Sequence, residues 1–154
     1  MNQKVITVTV NIDMNEESLE DKIIELEKLV EALDGEVVLS LTQNKSYVDK
    51  AFYIGKGKVN EIKDYCEKLD AEFVVFNNEL TGSQVKNLEE IIGIRVIDRT
   101  NLILDIFSER ARTKEAKLQV KLAKLKYTLP RLSALRSGFS RQQGGIGGKG
   151  IGEQ

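Results

Sequence analysis

Apolar positions in the first hundred residues recur with two alternating periods. "VITVTV" (5–10) sets Ile6, Val8 and Val10 at every second position, the pattern of a strand with a buried face. Leu19, Ile23, Leu26, Val30 and Leu33 then recur at helical spacing, with Gly35 as the predicted C-terminal stop. "EVVLSLTQ" (36–43) reads as a second strand. In "GKGKVNEIKDYCEKLDA" Val59, Ile62, Cys66 and Leu69 share one helical face. "EFVVF" (72–76) predicts a short buried strand with turn residues Asn77 and Asn78 behind it. Thr81 and Gln84 have capping-box spacing ahead of a helix carrying Val85, Leu88, Ile91 and Ile92, which Gly93 ends. "IRVID" (94–98) is a further strand, and Thr100 or Asn101 is expected to cap a helix containing Leu102, Ile103, Ile106 and Phe107. Strand and helix alternate through short loops, so residues 1–110 are expected to form an α/β domain: a small, mostly parallel sheet flanked by helices and joined by right-handed crossovers.

The period changes after residue 110. Ala111–Leu135 contains one proline and no glycine, and Leu118, Leu122, Leu125, Leu129 and Leu132 are spaced 4, 3, 4, 3. That is a heptad seam, covering an arc of about 80° at 100° per residue. A long basic helix over 111–137, half of a coiled-coil hairpin, is expected, followed by a glycine-rich tail over 138–154. Pro130 predicts a kink near Lys126–Pro130, because proline removes a backbone donor and crowds the preceding turn. A wet leucine seam forfeits roughly 1.5–3 kcal/mol per side chain. Three partners would cover it: the α/β domain, a second copy forming a homodimer, or a returning helix beyond residue 154.

Charge sharpens the same boundary. Residues 1–109 carry 12 Lys and Arg against 22 Asp and Glu, a balance of −10, whereas residues 110–154 carry 11 against 2, a balance of +9. Lys114, Lys117, Lys121, Lys124 and Arg131 form a stripe about a quarter-turn from the leucines. Such a stripe reads either as a polyanion-binding face or as the solvated flank of a helix. The chain has one cysteine and no histidine, which removes an internal disulfide, the commonest general base and any ordinary zinc or haem site. No apolar run approaches a membrane span, and "MNQKVITVTV" lacks the regions of a signal peptide, so a cytoplasmic location is expected.

Three stretches invite a phosphate-binding reading. "GGIGGKGIGEQ" supplies Gly148-Lys149, but Gln143 stands where a P-loop needs its first glycine and Gly150 where it needs a hydroxyl, so that reading fails. "IGKGK", with Gly55, Lys56, Gly57 and Lys58, opens a helix; it is either an anion site or a plain turn and helix start. Asn77, Asn78 and Glu79 follow a strand's C-terminal end, where open α/β sheets bind ligands, but such residues are also ordinary in turns. Cys66 reads as a core thiol, and Phe52 and Tyr53 either stack on a base or pack against the sheet.

"FYIGKGKVNEIK", "VVFNNELTGSQVKNLEE", "RVIDRTNLILDIFSERARTKEAKLQVKLAKLKYTLPRL" and "SRQQGGIGGKGIGE" together closely resemble the HflX-type GTPases, strongly over about residues 50–153 and more loosely before. The resemblance implies an N-terminal α/β domain, a two-helix hairpin and then a Ras-like G domain that uses GTP and magnesium; the returning arm and the G domain are missing from this sequence, and without a P-loop this chain is not expected to hydrolyse GTP. It implies docking on the large ribosomal subunit and its rRNA, and a role in splitting or rescuing stalled ribosomes. By the same resemblance the ribosome-binding residues would be the stripe together with Arg136, Arg141, Gln142, Gly144, Gly145 and Lys149. The tip departs from the family's usual S-R-Q-G-G-G-I-G-T-R-G-P-G-E at Gln143, Gly148, Lys149 and Ile151, and lysine in place of arginine removes bidentate phosphate geometry. The competing readings are a small nucleotide-binding α/β domain and a homodimeric coiled-coil module.

Overall fold

The computed structural model describes residues 3–12 and 16–131. Four strands, β1 (Gln3–Asn11), β2 (Gly35–Asn44), β3 (Phe73–Phe76) and β4 (Arg95–Asp98), form one sheet in the order β2-β1-β3-β4. Every neighbouring pair is parallel. The helices are α1 (Glu16–Glu31), α2 (Lys56–Leu69), α3 (Gly82–Ile92), α4 (Arg99–Arg110) and α5 (Lys114–Thr128), and a 3-10 turn spans Leu129–Arg131. The strand order reverses at β1, so the chain winds outward first to β2 and then, on the other side, to β3 and β4.

Alternation along β1 explains the layering. Ile6, Val8 and Val10 face Val59 and Ile62 of α2 and Leu88 of α3 in one apolar layer. Val5 belongs to the opposite layer, with Leu26 and Val30 of α1 and Leu102 and Ile106 of α4. The register shifts between Val5 and Ile6, and beyond it Thr7, Thr9 and Asn11 are buried polar residues. Thr7 bonds to Ser40, whose hydroxyl donates to Glu27 of α1. Parallel strands need both faces covered, and here one cover is apolar while the other carries a polar strip under α1.

The boundaries follow local chemistry, with two differences from expectation. Thr81 and Gln84 make both bonds of the capping box, and Gly93 closes α3 at φ 88°. Gly35 does not supply the left-handed residue after α1; Asp34 does, at φ 62°. Gly35 begins β2 instead, where a Cβ would stand 2.6 Å from the Val30 side chain, so close packing explains the glycine. Asp98, rather than Thr100 or Asn101, caps α4 by accepting the Asn101 N–H.

The long basic helix starts at Lys114, capped by Thr113, and Pro130 lies in the 3-10 turn, so the regular helix stops short of the proline. Residues 132–154, including Leu132, Arg136 and the glycine-rich tail, lie outside the described residues. Among those described, no helix is long and apolar enough to cross a membrane.

Candidate nucleic-acid interface

Helix α5 packs on α4, and the half-buried Ala116, Val120 and Ala123 line a shallow apolar groove between the two helices with Leu104 and Phe107. The mean direction of Leu118, Leu122, Leu125 and Leu129 is about 160° from that of Ala116, Val120 and Ala123 at 100° per residue. All four leucines are accordingly exposed, Leu118 at 66%. Of the three candidate partners for the seam, the α/β domain is therefore excluded over the described residues: α5 turns its leucines away from it.

This orientation divides the cationic stripe lengthwise. Lys114, Lys117 and Lys121, on the side nearer the leucines, are exposed. Lys124, on the side nearer α4, is only 6% exposed, and its Nζ lies 3.2 Å from Asp105 Oδ1. The expected five-residue face thus loses Lys124 to an internal ion pair. Burial raises the Asp105 carboxyl above its ordinary value, opposed by the attraction of Lys124 and Arg95. Burial likewise lowers the Arg95 guanidinium, opposed by Asp105 and Glu89.

Arg131 is also turned to the domain. Its guanidinium stacks 3.8 Å from the Tyr127 ring centroid, donates to the Leu80 and Tyr127 carbonyls, and reaches Glu79 at 3.4 Å. The Tyr127 hydroxyl donates to Asp98, which also receives the Leu80 N–H. Burial beside the Asp98 carboxylate pushes the Tyr127 phenol well above its usual range. Asp98 therefore holds the start of α4, the loop after β3 and the end of α5 at once. This clamp ties the end of α5 to the C-terminal ends of β3 and β4.

At the C-terminal ends of the strands, the amides that looked like ligand groups are already bonded. The Asn78 side chain accepts from the Val10 N–H and donates to the Val10 carbonyl, prolonging the ladder beyond β1. Asn77 donates to Thr9 and to the Lys22 carbonyl and accepts from Arg99, which also pairs with Glu25. Glu79 faces Arg131. The Gly55 N–H donates to Gln43, and Lys58 pairs with Glu61 on its own helix at 3.4 Å. Lys56 and Gly57 are exposed on the first turn of α2.

Phe52 and Tyr53 pack against the apolar core, and Tyr53 has the uncommon φ of 67°. Burial raises the Tyr53 phenol, opposed by its hydrogen bond with Asn78. Cys66 is buried beside Ile62, and burial pushes its thiol up to about 11. Asn11 carries a buried side-chain amide with no hydrogen-bond partner among the described residues. Arg136, Arg141, Gln142, Gly144, Gly145 and Lys149 lie outside the described residues.

Sequence reasoning missed Asp98, Asp105 and Tyr127. Asp105 was open to detection, since it interrupts the apolar stripe of Leu102 and Ile106 and a charge there demands a partner. Nothing local marks Lys124 as that partner rather than Lys121.

The family described as "GTP-binding GTPase N-terminal" matches residues 20–108, and "GTP-binding GTPase Middle Region" matches residues 110–154. The GTPase HflX of Caldanaerobacter subterraneus subsp. tengcongensis is 53% identical over 134 residues, 87% of this chain and 31% of the relative. That of Alkalihalophilus pseudofirmus is 49% identical over 151 residues, 98% of this chain and 36% of the relative. That of Escherichia coli K12 is 39% identical, covering 95% of this chain and 34% of the relative. This chain therefore spans about a third of the length of these curated relatives. Among solved structures, a G235S variant of SsGBP aligns with a TM-score of 0.67 and 27% identity, over 87% of this chain and 42% of the other. A GTP-binding protein from Sulfolobus solfataricus, in complex with GDP, aligns at 0.62 and 25%, over 88% and 40%.

Proposed function

The chain belongs to the HflX-type GTPase family, and from that premise we propose that it is a ribosome-docking module, binding the large subunit's rRNA through the outward lysines of α5. The carrying observation is that Lys114, Lys117 and Lys121 stay exposed on an arm clamped to an acidic domain. An acidic globule is repelled by RNA, so it orients the molecule with α5 toward the phosphates. The seam opposite the domain suits a returning helix, which closes the hairpin in the whole protein; nucleotide chemistry, with GTP and magnesium, belongs to the whole protein's G domain in this reading. Splitting or rescue of stalled ribosomes is the role that this docking would serve.

Sedimentation with purified large subunits tests the proposal. Binding should need no nucleotide and should weaken steeply with salt. Lys117→Glu with Lys121→Glu should flatten the slope of log affinity against log salt by about one unit per lysine. Equal co-sedimentation of variant and parent across the salt series would falsify the docking face.

The exposed leucines also favour a second reading, pairing of two copies through the seam, and light scattering over a concentration series separates it from a monomer. The nucleotide-binding reading of the α/β domain has weaker support, because Asn77 and Asn78 are committed to the fold.

A further inference from the structure

The loop between β2 and α2, taken with the first turn of α2, departs from its surroundings in charge. Residues 44–58, "NKSYVDKAFYIGKGK", hold four lysines and one aspartate, a balance of +3 inside a region whose overall balance is −10. Aromatics are interleaved with the lysines: Tyr47, Phe52 and Tyr53. Phe52 and Tyr53 pack inward, but Tyr47 is 70% exposed, the most open of the large hydrophobic side chains among the described residues. The Lys45 ammonium stands 5.1 Å from the centroid of its ring. Lys50 and Lys56 are also exposed, and neither has an acidic partner among the described residues.

The loop is built, not slack. The Asp49 side chain accepts the Ala51 and Phe52 N–H groups, and Asp49 and Tyr53 exchange backbone bonds. Helix α3 holds it from below, with Gln84 donating to the Asp49 carbonyl and Asn87 to the Ala51 carbonyl. Its one acidic residue is thus occupied in shaping the turn. Tyr53 keeps a left-handed φ of 67°, a strained conformation that persists only where the surroundings enforce it. A turn held this way has little backbone entropy left to lose on binding.

We propose that this loop is a second RNA contact, in which Tyr47 stacks on an unpaired base while Lys45, Lys50 and Lys56 meet the flanking phosphates. A single aromatic platform among separated cations fits single-stranded or looped RNA, where bases are free to stack and the charge runs along the backbone. The inference rests on the docking reading above but uses different residues, so the two fail separately.

The experiment compares the whole chain with Tyr47→Ala, Tyr47→Phe and the α5 pair Lys117→Glu/Lys121→Glu, all titrated against purified large ribosomal subunits over a salt series. Phosphatidylglycerol vesicles form the second arm. Tyr47→Ala should bind subunits about 5- to 150-fold more weakly, the weight of one base stack, with an unchanged salt slope. Tyr47→Phe should bind like the parent, since the ring is retained. Parental affinity in Tyr47→Ala overturns the loop proposal, while a loss in the α5 variant would still leave the docking face standing. A loss in Tyr47→Ala alone supports the loop and removes α5. A parent that does not bind subunits at all overturns both. Vesicle binding that depends on Tyr47, with subunit binding unaffected, replaces RNA by an anionic lipid surface and so overturns the proposal too.

Discussion

Lys121 and Lys124 lie three residues apart on one helix and have opposite fates. One faces solvent; the other is buried on Asp105, because a rotation of about 300° brings it round to α4. The cost of stranding Asp105 is therefore a residue-scale expectation. Lys124→Met should destabilise the chain by about 3–5 kcal/mol, while pairing it with Asp105→Leu should restore most of the loss. Urea denaturation of the two variants measures both. The pH dependence has a definite sign. Asp105 is raised in the folded state, so the stability linked to its proton is fully present below the unfolded value of about 3.9 and is lost as pH rises through the raised folded value. Without Lys124 that loss should deepen, and the variant should fall further behind the parent at neutral pH than at pH 4. A parallel stability profile for parent and variant would show that the pair is not coupled.

At the scale of elements, α5 has two unlike faces, and substitutions should report which one is structural. The leucines are already wet in this chain, so Leu122→Ala should change stability by less than about 0.5 kcal/mol. Tyr127→Phe removes a hydrogen bond to a carboxylate and should cost roughly 1.5–3 kcal/mol. Thermal unfolding of both variants checks the contrast, and a larger loss at Leu122 would mean that the seam is covered in solution. The heptad spacing was legible from residue types alone, and so was the capping box at Thr81 and Gln84. The clamp was not: Asp98 reads locally as the end of a strand, and its three bonds join segments 18 or more residues apart or lie at the cap itself. Asn77 and Asn78 show the same limit. Their type and position fit a ligand site and a turn equally, and only the neighbouring Thr9, Val10 and Arg99 decide in favour of the fold.

At the scale of the molecule, the sheet order places β1 and β3 inside and β2 and β4 at the edges. Hydrogen exchange should therefore be slowest at Ile6, Val8, Val74 and Val75, which are fully buried, and faster along β2, half of whose amides lack a neighbouring strand. Uniform protection across β1 and β2 would point to a partner on that edge. The charge division between residues 1–109 and 110–154 reads directly from composition, as do the alternating periods of strand and helix, because both are properties of residue type and spacing along the chain. Family resemblance was equally open, being carried by contiguous segments. Rotation of α5 about its own axis was not, for a heptad names a greasy stripe without saying which way it points. That choice was made by the packing of α5 on α4, which half-buries Ala116, Val120 and Ala123, and by the demand of buried Asp105 for a cation. A helix side chain's neighbours across space depend on where distant segments stop, and only the folded chain brings those ends together.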